Sequence, residues 1–258
     1  MRVTLVFNGK GGVGKSTTAH ALATGLPRID SGTYKTLAID TDPQGNLSHS
    51  YGIADVKDCP TLFHVYAGDV SIGEAIQHTS QGDIIVGNAS LTKVEPLLGG
   101  ESYIRSIKKL REQLEQLPGD YTHVFMDNQP LVGGILTTQN LAAATDLLIP
   151  TFADVYSMQG LARLQEAYED IKETFNRELR ICGVLLTKYN PRTTVSQHLV
   201  KNITAWAGQL HTAVFPTFIR ESVSVREAQV KKMSIFDYAP ESNPAMDYMA
   251  LLREYAVS

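Results

Sequence analysis

The residues best suited to chemistry lie close to the N-terminus. They read Gly9-Lys10-Gly11-Gly12-Val13-Gly14-Lys15-Ser16 and satisfy the pattern GxxxxGK[ST]. A strand-like apolar run ends at Phe7, and apolar residues at helical spacing follow Ser16, which is the context that this pattern requires. Glycines let consecutive backbone N–H groups curl around phosphate oxygens, and a helix N-terminus adds partial positive charge. The pattern therefore predicts a loop for Mg²⁺-ATP, with Lys15 at the β- and γ-phosphates and Ser16 as a Mg²⁺ ligand.

Carboxylates follow two further runs of apolar residues. Asp40 and Asp42 come directly after the run 36–39, and Asp127 comes directly after the run 124–126. Ligands of open α/β sheets bind at the carboxyl ends of the strands, so these acids could serve one metal-water cluster. Asp-Pro and Gly-Asn dipeptides in the first segment are equally typical of an ordinary turn, and many strands end in Asp for capping alone. The residues by themselves leave both interpretations open.

The elements that must position these groups alternate along the chain. Apolar runs predict strands at 3–7, 36–39, 84–86, 124–126, 147–149 and 181–186, and helical spacing predicts helices at 16–26, 103–117, 138–144 and 158–175. Buried strands that alternate with helices are typical of a parallel sheet covered on both faces. We therefore predict one doubly wound, mostly parallel α/β domain over residues 1–258, with a P-loop NTPase fold. Element boundaries are least defined between residues 55 and 100.

Composition narrows the class of protein. Hydrophobic residues make up 43% of the chain and charged residues 19%, which is ordinary globular usage, and the net charge of −4 argues against a uniformly basic surface. Cys59 and Cys182 stand in no metal-binding or disulfide spacing, which fits a reducing cytosol. No stretch approaches the roughly 20 apolar residues of a membrane-spanning helix. We expect a cytoplasmic protein without a membrane partner.

The phosphate loop resembles the deviant Walker A loop of the ParA/MinD ATPases, and the segment 37–46 resembles that family's DxDPQGN motif. The resemblance continues through 215–240 and covers nearly the whole chain. Lys10 alone could be a solvated side chain, but the resemblance implies that it reaches the nucleotide of a partner subunit in an ATP-sandwich homodimer. It also implies that Asp42 orients or activates the attacking water, while Asp40 and Asp127 support Mg²⁺. The implied nucleotide-binding residues are Gly11, Gly12, Val13, Gly14, Lys15, Ser16, Thr17, Thr187 and Lys188.

The chain departs from the family pattern at three places. Asn128-Gln129-Pro130 stands where the family usually has Thr-Pro-Pro, so the behaviour of the segment after Asp127 is open. Arg220-Glu221 stands where the family has Pro-Arg, so no adenine contact is transferred there. The segment 27–34 replaces a short Gly-Lys/Arg turn and has no predicted role.

The resemblance to the partitioning branch of the family also implies a partner. In that branch the ATP-bound dimer binds double-stranded DNA without sequence preference through basic residues of the C-terminal half. The candidates here are Arg192, Lys201, Arg220, Arg226, Lys231 and Lys232. Phosphate contacts require only clustered cations and depend steeply on salt, whereas any single one of these residues could belong to an ordinary solvated surface.

The resemblance therefore implies the function of a ParA-type ATPase in plasmid or chromosome partitioning. It implies that ATP closes the dimer, that the dimer binds nonspecific DNA on the nucleoid, and that a ParB-like centromere-binding protein stimulates an otherwise weak hydrolysis and releases the dimer. No N-terminal helix-turn-helix is expected, because Arg2 already opens the first strand.

The main alternative is a MinD-like ATPase that positions a membrane-bound or protein cargo. Membrane attachment would need a basic amphipathic C-terminal helix, but residues 245–258 carry one arginine beside Asp247 and Glu254. We expect this tail to pack on the core. A cluster-carrying reductase would need paired cysteines in other places, and a ligase would need a small-molecule pocket, a question that the sequence leaves open.

Overall fold

A computed structural model describes residues 1–30, 32–53, 59–154, 156–189 and 194–257, without the side chains of 194–196. Its strands are β1 (Arg2–Val6), β2 (Thr36–Asp40), β3 (Ile76–Thr79), β4 (Gly82–Ile85), β5 (His123–Asp127), β6 (Asp146–Thr151) and β7 (Arg180–Leu186). Within the described residues they form one seven-stranded sheet in the order β3-β4-β2-β5-β1-β6-β7. Every neighbouring pair is parallel except β3 and β4.

Helices cover both faces of this sheet. They are α1 (Lys15–Gly25), α2 (Asn46–Ser50), α3 (Leu62–Ala67), α4 (Val94–Leu98), α5 (Tyr103–Leu114), α6 (Ile135–Ala143), α7 (Ser157–Thr174), α8 (Thr194–Gln209), α9 (Val223–Lys231), α10 (Ile235–Tyr238) and α11 (Asn243–Ala256). Short 3₁₀ turns cover Leu26–Arg28 and Ala89–Lys93.

The central strands are buried on both sides. All residues of β2 and β6 are buried, as expected for parallel strands between two layers of helices. Successive side chains of a strand point to opposite faces, so Leu5 packs into one hydrophobic core and Val6 into a second. Helices α5, α6 and α7 cover the first core, whereas α1 and α11 cover the second. The predicted doubly wound, mostly parallel α/β fold is confirmed.

The region between residues 55 and 100 holds a strand that the sequence analysis did not predict. Strand β3 runs antiparallel to β4 at the edge of the sheet, and its four residues are exposed or half-buried. An edge strand of this kind lacks the continuous apolar run from which the other strands were predicted. The chain turns between the two strands at Gly82, whose φ of 117° is accessible to glycine alone at little cost.

The C-terminal tail packs on the sheet. Helix α11 buries Tyr248, Leu251, Leu252 and Tyr255 in the second core, while Met246 stays 49% exposed. The predicted docking is therefore observed, although aromatic residues contribute more of it than the methionines. No helix in the described part of the chain has the length and apolar character needed to cross a membrane.

One residue of the segment for which the sequence predicted no role, Arg28, fastens the end of α1 to α10. Arg28 forms a bidentate pair with Asp237, at 2.8 and 2.9 Å, and its guanidinium lies 5.5 Å from the centre of the Phe236 ring. The same side chain donates to the carbonyl of Thr24 in α1. These contacts give Arg28 a packing role in this chain.

Candidate nucleotide-binding site

The phosphate loop connects the end of β1 to the start of α1. Gly12 and Gly14 have φ angles of 75° and 86°, a left-handed conformation that favours glycine. Gly11 and Gly12 are exposed, and nothing lies within 4 Å of the position that a Cβ would take at either residue. The loop therefore presents bare backbone to open space at the N-terminus of a helix, the arrangement that suits phosphate oxygens.

Lys15 is the buried cation of this loop. Its residue is 7% exposed, and its ammonium donates to the carbonyl of Lys10 at 2.9 Å. Burial lowers the pKa of Lys15, while the nearby carboxylates of Asp127 and Asp42 act in the opposite direction. Lys15 thus lies close to two of the three predicted acids, and its charge is buried where electrostatic attraction to phosphate is strong.

Asp127 ends β5 as a fully buried carboxylate without a hydrogen-bond partner among the described residues. Burial, followed by the charge of Asp40, raises its pKa well above the ordinary value, and the Ser16 side chain and Lys15 act to lower it. An unpartnered buried carboxylate is costly unless a cation or donors satisfy it. A hydrated Mg²⁺ beside Ser16 would supply both, so these residues fit the predicted metal ion.

No group of three or more His, Cys, Asp or Glu side chains forms a metal cage in the described ranges. Mg²⁺ is usually held by one or two carboxylates, waters and substrate phosphates, so it needs no such cage.

Asp40 holds the turn that follows β2. Its carboxylate accepts the backbone N–H of Asp42 at 3.1 Å and both the N–H and the hydroxyl of Ser48 at 2.8 and 2.7 Å. Burial raises the pKa of Asp40 to about 6 despite these hydrogen bonds. A Cβ at Gly87 would overlap the carbonyl oxygen of Asp40, so the neighbouring chain also packs tightly against this residue. The carboxylate positions α2 as well as standing near the predicted Mg²⁺ site.

Asp42 faces the cavity in which a nucleotide would lie. It is 5% exposed, and one carboxylate oxygen accepts the N–H of Gln44 at 2.9 Å. The cavity has a volume of about 430 Å³, and its lining includes Lys15, Thr17, Asp42, Arg220, Arg226 and Gln229. The phosphate loop, Asp42 and the C-terminal residues 219–229 therefore line the same cavity.

Lys10 is engaged within its own subunit. Its ammonium pairs with the carboxylate of Asp154 and lies 5.3 Å and 5.9 Å from the ring centres of Phe152 and Tyr156. Asp154 follows β6, the strand next to β1. This partner of Lys10 was not predicted from the sequence, although the order of the strands in the sheet would have indicated it. The predicted reach of Lys10 into a partner subunit stays a prediction.

The end of β7 contacts the phosphate loop directly. The hydroxyl of Thr187 donates to the carbonyl of Val13 at 2.9 Å, and Thr187 is 3% exposed. Lys188 is exposed, has a left-handed φ of 49°, and lies 5.1 Å from the Phe152 ring. Both residues line the cavity, and their contact with an adenine remains a prediction.

A buried network of polar side chains joins the segments after β2 and β5. Asn140 of α6 donates to the hydroxyl of Thr41 and to the amide oxygen of Asn128, each at 2.6 Å. Thr41 in turn donates to the carbonyl of Asp127 at 2.6 Å. Asn128 also donates to Thr137 at 3.2 Å. The departure from the family pattern at Asn128 thus supplies an amide that this network uses. The network could not be predicted from the sequence because its members are far apart in the chain.

The predicted DNA-binding cations occupy different settings. Arg220 is bound to Asp247 through two nitrogens, the shortest contact being 2.6 Å, so its charge is neutralised within the chain. Arg226 is exposed and lines the nucleotide cavity. Lys231 ends α9 and is exposed, Lys232 follows it half-buried, and Lys201 is exposed on α8. Arg192 lies outside the described residues.

Known proteins are similar to this chain over nearly its whole length. A protein-family model described as an AAA domain matches residues 1–181. The chromosome partitioning protein ParA of Caulobacter vibrioides is 33% identical over 259 residues, which cover 98% of this chain and 93% of the relative. The chromosome-partitioning ATPase Soj of Treponema pallidum is 32% identical over 98% of this chain and 97% of the relative.

Solved structures share the fold. A cobyrinic acid a,c-diamide synthase from Mycobacterium smegmatis, with a bound ATP analog and magnesium, superposes with a TM-score of 0.84 at 26% identity over 98% of this chain and 93% of the other. McdA from Cyanothece superposes with a TM-score of 0.85 at 22% identity over 99% of each chain, which shows a common fold.

Proposed function

Because this chain belongs to the ParA/MinD family of P-loop ATPases, we propose that it is a DNA-partitioning ATPase. It binds ATP with Mg²⁺ and hydrolyses it to ADP and phosphate. Its ATP-bound form is a homodimer that binds double-stranded DNA without sequence preference and thereby associates with the nucleoid. A ParB-like centromere-binding protein stimulates the hydrolysis and so releases the dimer.

The observation that carries the ATPase assignment is the convergence of one buried lysine and three buried aspartates at the carboxyl ends of β1, β2 and β5. Lys15, Asp40, Asp42 and Asp127 are each at most 7% exposed. Such a concentration of buried charge destabilises the fold unless a ligand uses it. A triphosphate with Mg²⁺ complements both signs of charge at once.

The residues have distinct roles in phosphoryl transfer to water, which depends on positioning and charge neutralisation. The loop backbone and Lys15 bind the phosphates and neutralise the charge that develops on them. Mg²⁺, which Ser16 and Asp127 would hold, supplies further neutralisation when it is bound. Asp42 accepts a hydrogen bond from the attacking water and orients it in line with the bond that breaks.

The partitioning role is supported by the relatives, two of which are named as chromosome partitioning proteins, and by the exposed cations beside the site. Arg226 and Lys231 lie on α9, which borders the cavity through Arg226 and Gln229. Cations next to a nucleotide site can change their arrangement when the nucleotide binds. Arg220 contributes less to this surface because Asp247 already neutralises it.

The test is binding to nonspecific duplex DNA with ATP, with ADP and without nucleotide, across a salt series. Salt-sensitive binding with ATP alone is the expected result, because phosphate contacts release counterions. Lys231→Ala should weaken this binding. Lys108→Ala, on the exposed side of α5, is the matched control and should not.

Intact ATP hydrolysis without DNA binding in any nucleotide state would overturn the partitioning role. Binding that is equal with and without nucleotide would overturn the ATP dependence. In the first case, stimulation of the ATPase by a cargo-bound protein would instead support the alternative of a protein-positioning ATPase.

A further inference from the structure

Helix α9 borders the nucleotide cavity but has little apolar anchorage. Ala228 is the one buried side chain of this helix, which the structure describes in full. Val223 and Val230 are 56% and 77% exposed. An element with so few buried apolar contacts depends on polar contacts for its position, and it belongs to the low-stability part of a fold.

Two glutamines provide these polar contacts, and both lead to α1. The side-chain amide of Gln229 donates to the hydroxyl of Thr17 at 3.1 Å. The amide of Gln81 donates to the carbonyl of Lys232 at 3.1 Å, and its oxygen lies 3.1 Å from the Nε2 of His20. Thr17 and His20 are three residues apart and share one face of α1. Both contacts thus fasten the C-terminal end of α9 to the helix that begins at the phosphate loop.

The Thr17 hydroxyl can transmit phosphate binding to Gln229. Thr17 directly follows Ser16, and Thr17 and Gln229 line the same cavity. A hydroxyl carries one donor and two acceptor positions, so Thr17 can accept from Gln229 while it donates to a phosphate oxygen. Hydrogen bonds in such a chain polarise each other, and a bond to a charged phosphate is stronger than one between neutral groups. Phosphate binding should therefore strengthen the bond between Gln229 and Thr17.

We propose that Gln229 is a positioning residue that couples nucleotide occupancy of the phosphate loop to the placement of α9. Gln81 holds the C-terminal end of α9 in either state, and Gln229 adds a contact whose strength depends on phosphate. The consequence for DNA rests on the proposed function, because α9 carries Arg226 and Lys231. The coupling itself needs neither DNA nor a second subunit.

Hydrogen exchange of the α9 amides in the full chain tests the coupling directly. It is measured without nucleotide, with ADP and with ATP, for the wild type, for Gln229→Leu and for Gln209→Leu. Gln209 is an exposed glutamine on α8 and controls for the loss of an amide from a cation-bearing helix. Nucleotide should slow exchange in α9 by about 3-fold to 10-fold in the wild type and the control, as expected for one hydrogen bond, and leave it unchanged in Gln229→Leu.

Nucleotide titrations fix the concentration at which each variant is saturated, so lost protection cannot arise from an empty site. The inference is overturned if nucleotide protects α9 equally in Gln229→Leu, or if wild-type α9 does not respond to nucleotide. Since binding couplings are reciprocal, Gln229→Leu should also reduce the ATP-dependent gain in DNA affinity by about 3-fold to 10-fold. Its salt dependence should stay that of the wild type because no charge is removed.

The two proposals fail separately. A protein that never binds DNA contradicts the partitioning role, while the exchange measurement still decides the role of Gln229. A protein that binds DNA with ATP but shows no nucleotide response in α9 retains its proposed function and loses this coupling.

Discussion

The carboxyl edge of the sheet and helix α9 line the same cavity, yet they are held in place in opposite ways. At the edge, Asp40 and Asp127 are buried at the ends of central strands, and Lys15 is buried at the start of α1. In α9, the cations are exposed and polar contacts from Gln229 and Gln81 fix the helix. Rigid, buried charge suits chemistry on phosphate, whereas a lightly attached helix suits a surface whose placement follows the nucleotide.

The difference also appears in the energetics. Burial raises the pKa of Asp127 and of Asp40, because it disfavours the charged form of each carboxyl group. Charge at this edge therefore lowers the stability of the folded state. Functional sites commonly hold such unfavourable charges because a ligand compensates for them. Helix α9 shows no comparable burial of charge, and Ala228 is its one buried side chain, so it should contribute little to stability. Substitutions at the edge should therefore have large effects on activity, and substitutions in α9 should have small, salt-dependent ones.

The largest effect is expected for Asp42→Ala. The carboxylate that orients the attacking water is lost, and groups of this kind contribute about 10²-fold to 10⁴-fold to the rate. ATP binding should persist because Lys15 and the loop are unchanged. Single-turnover experiments measure hydrolysis, and a separate titration measures ATP binding. Asp69→Ala, an exposed aspartate that does not line the cavity, is the control. Hydrolysis at the wild-type rate would show that Asp42 does not act on the water.

Lys15→Ala should have the next largest effect, this time on binding. The substitution removes a buried cation that makes charge-assisted hydrogen bonds worth about 1.5–3 kcal/mol each, so ATP affinity should fall by about 10²-fold to 10³-fold. Calorimetric titration of ATP with Mg²⁺ measures the loss. The exposed Lys93→Ala is the matched control and should bind as the wild type does. An unchanged affinity for Lys15→Ala would contradict the assignment of the phosphate loop.

Asp127→Asn should stabilise the nucleotide-free protein while it weakens Mg²⁺-dependent hydrolysis. The raised pKa means that the folded state binds more protons than the unfolded state above pH 3.8, so this carboxylate costs more stability as the pH rises. The variant removes that cost, and a gain of about 1–3 kcal/mol is expected at pH 8 with a smaller gain at pH 5. Thermal unfolding without nucleotide at both pH values measures it. A variant less stable than the wild type at pH 8 would mean that the buried charge is already compensated.

Sequence patterns predicted the edge far better than they predicted its surroundings. The loop 9–16 was identifiable because its residue types and spacing follow from phosphate chemistry and from the strand that precedes it. Asp42 and Asp127 were assigned by the resemblance to the family, because the residues alone were equally compatible with a turn or a strand end, and their roles stay predictions. The central strands were predicted to within a residue or two at most ends, because buried parallel strands read as apolar runs. The family inferred from the same motifs is confirmed by relatives at about the same length.

The contacts that the sequence did not reveal join residues that are distant in the chain and polar on both sides. Asp154 holds Lys10 from 144 positions away, and Asn140 reaches Thr41 across 99. Single amides, hydroxyls and carboxylates carry no periodic signal, so only the packing of helices on the sheet identifies their partners. The same reason explains why β3, a half-exposed edge strand, was missed.

Asp154→Asn tests the role of Lys10, the half-buried lysine of the phosphate loop. The substitution weakens the ion pair that holds Lys10 in its own subunit, and partly exposed pairs of this kind contribute about 0–1 kcal/mol. Lys10 is then freed for a partner subunit, so ATP-dependent dimerisation should strengthen by up to about 5-fold. Sedimentation velocity with ATP measures the dimer, and the double variant Asp154→Asn with Lys10→Ala should show no gain. Weaker dimerisation in the single variant would mean that Asp154 supports the dimer.

The smallest effect is expected in α9, where the salt dependence of DNA binding is more informative than the change in affinity. Lys231→Ala removes one exposed cation, so DNA affinity should fall a few-fold and the slope of log affinity against log salt should change by about 1. Arg220 is a matched contrast, because Asp247 already neutralises it, and Arg220→Ala should change that slope much less than Lys231→Ala does. Fluorescence anisotropy on nonspecific duplex with ATP, from low to moderate salt, measures both. A slope altered by Arg220→Ala and unaffected by Lys231→Ala would place the DNA-binding surface nearer the rim of the nucleotide cavity than the end of α9, and would remove the contrast between a rigid catalytic edge and a separate, nucleotide-dependent binding helix.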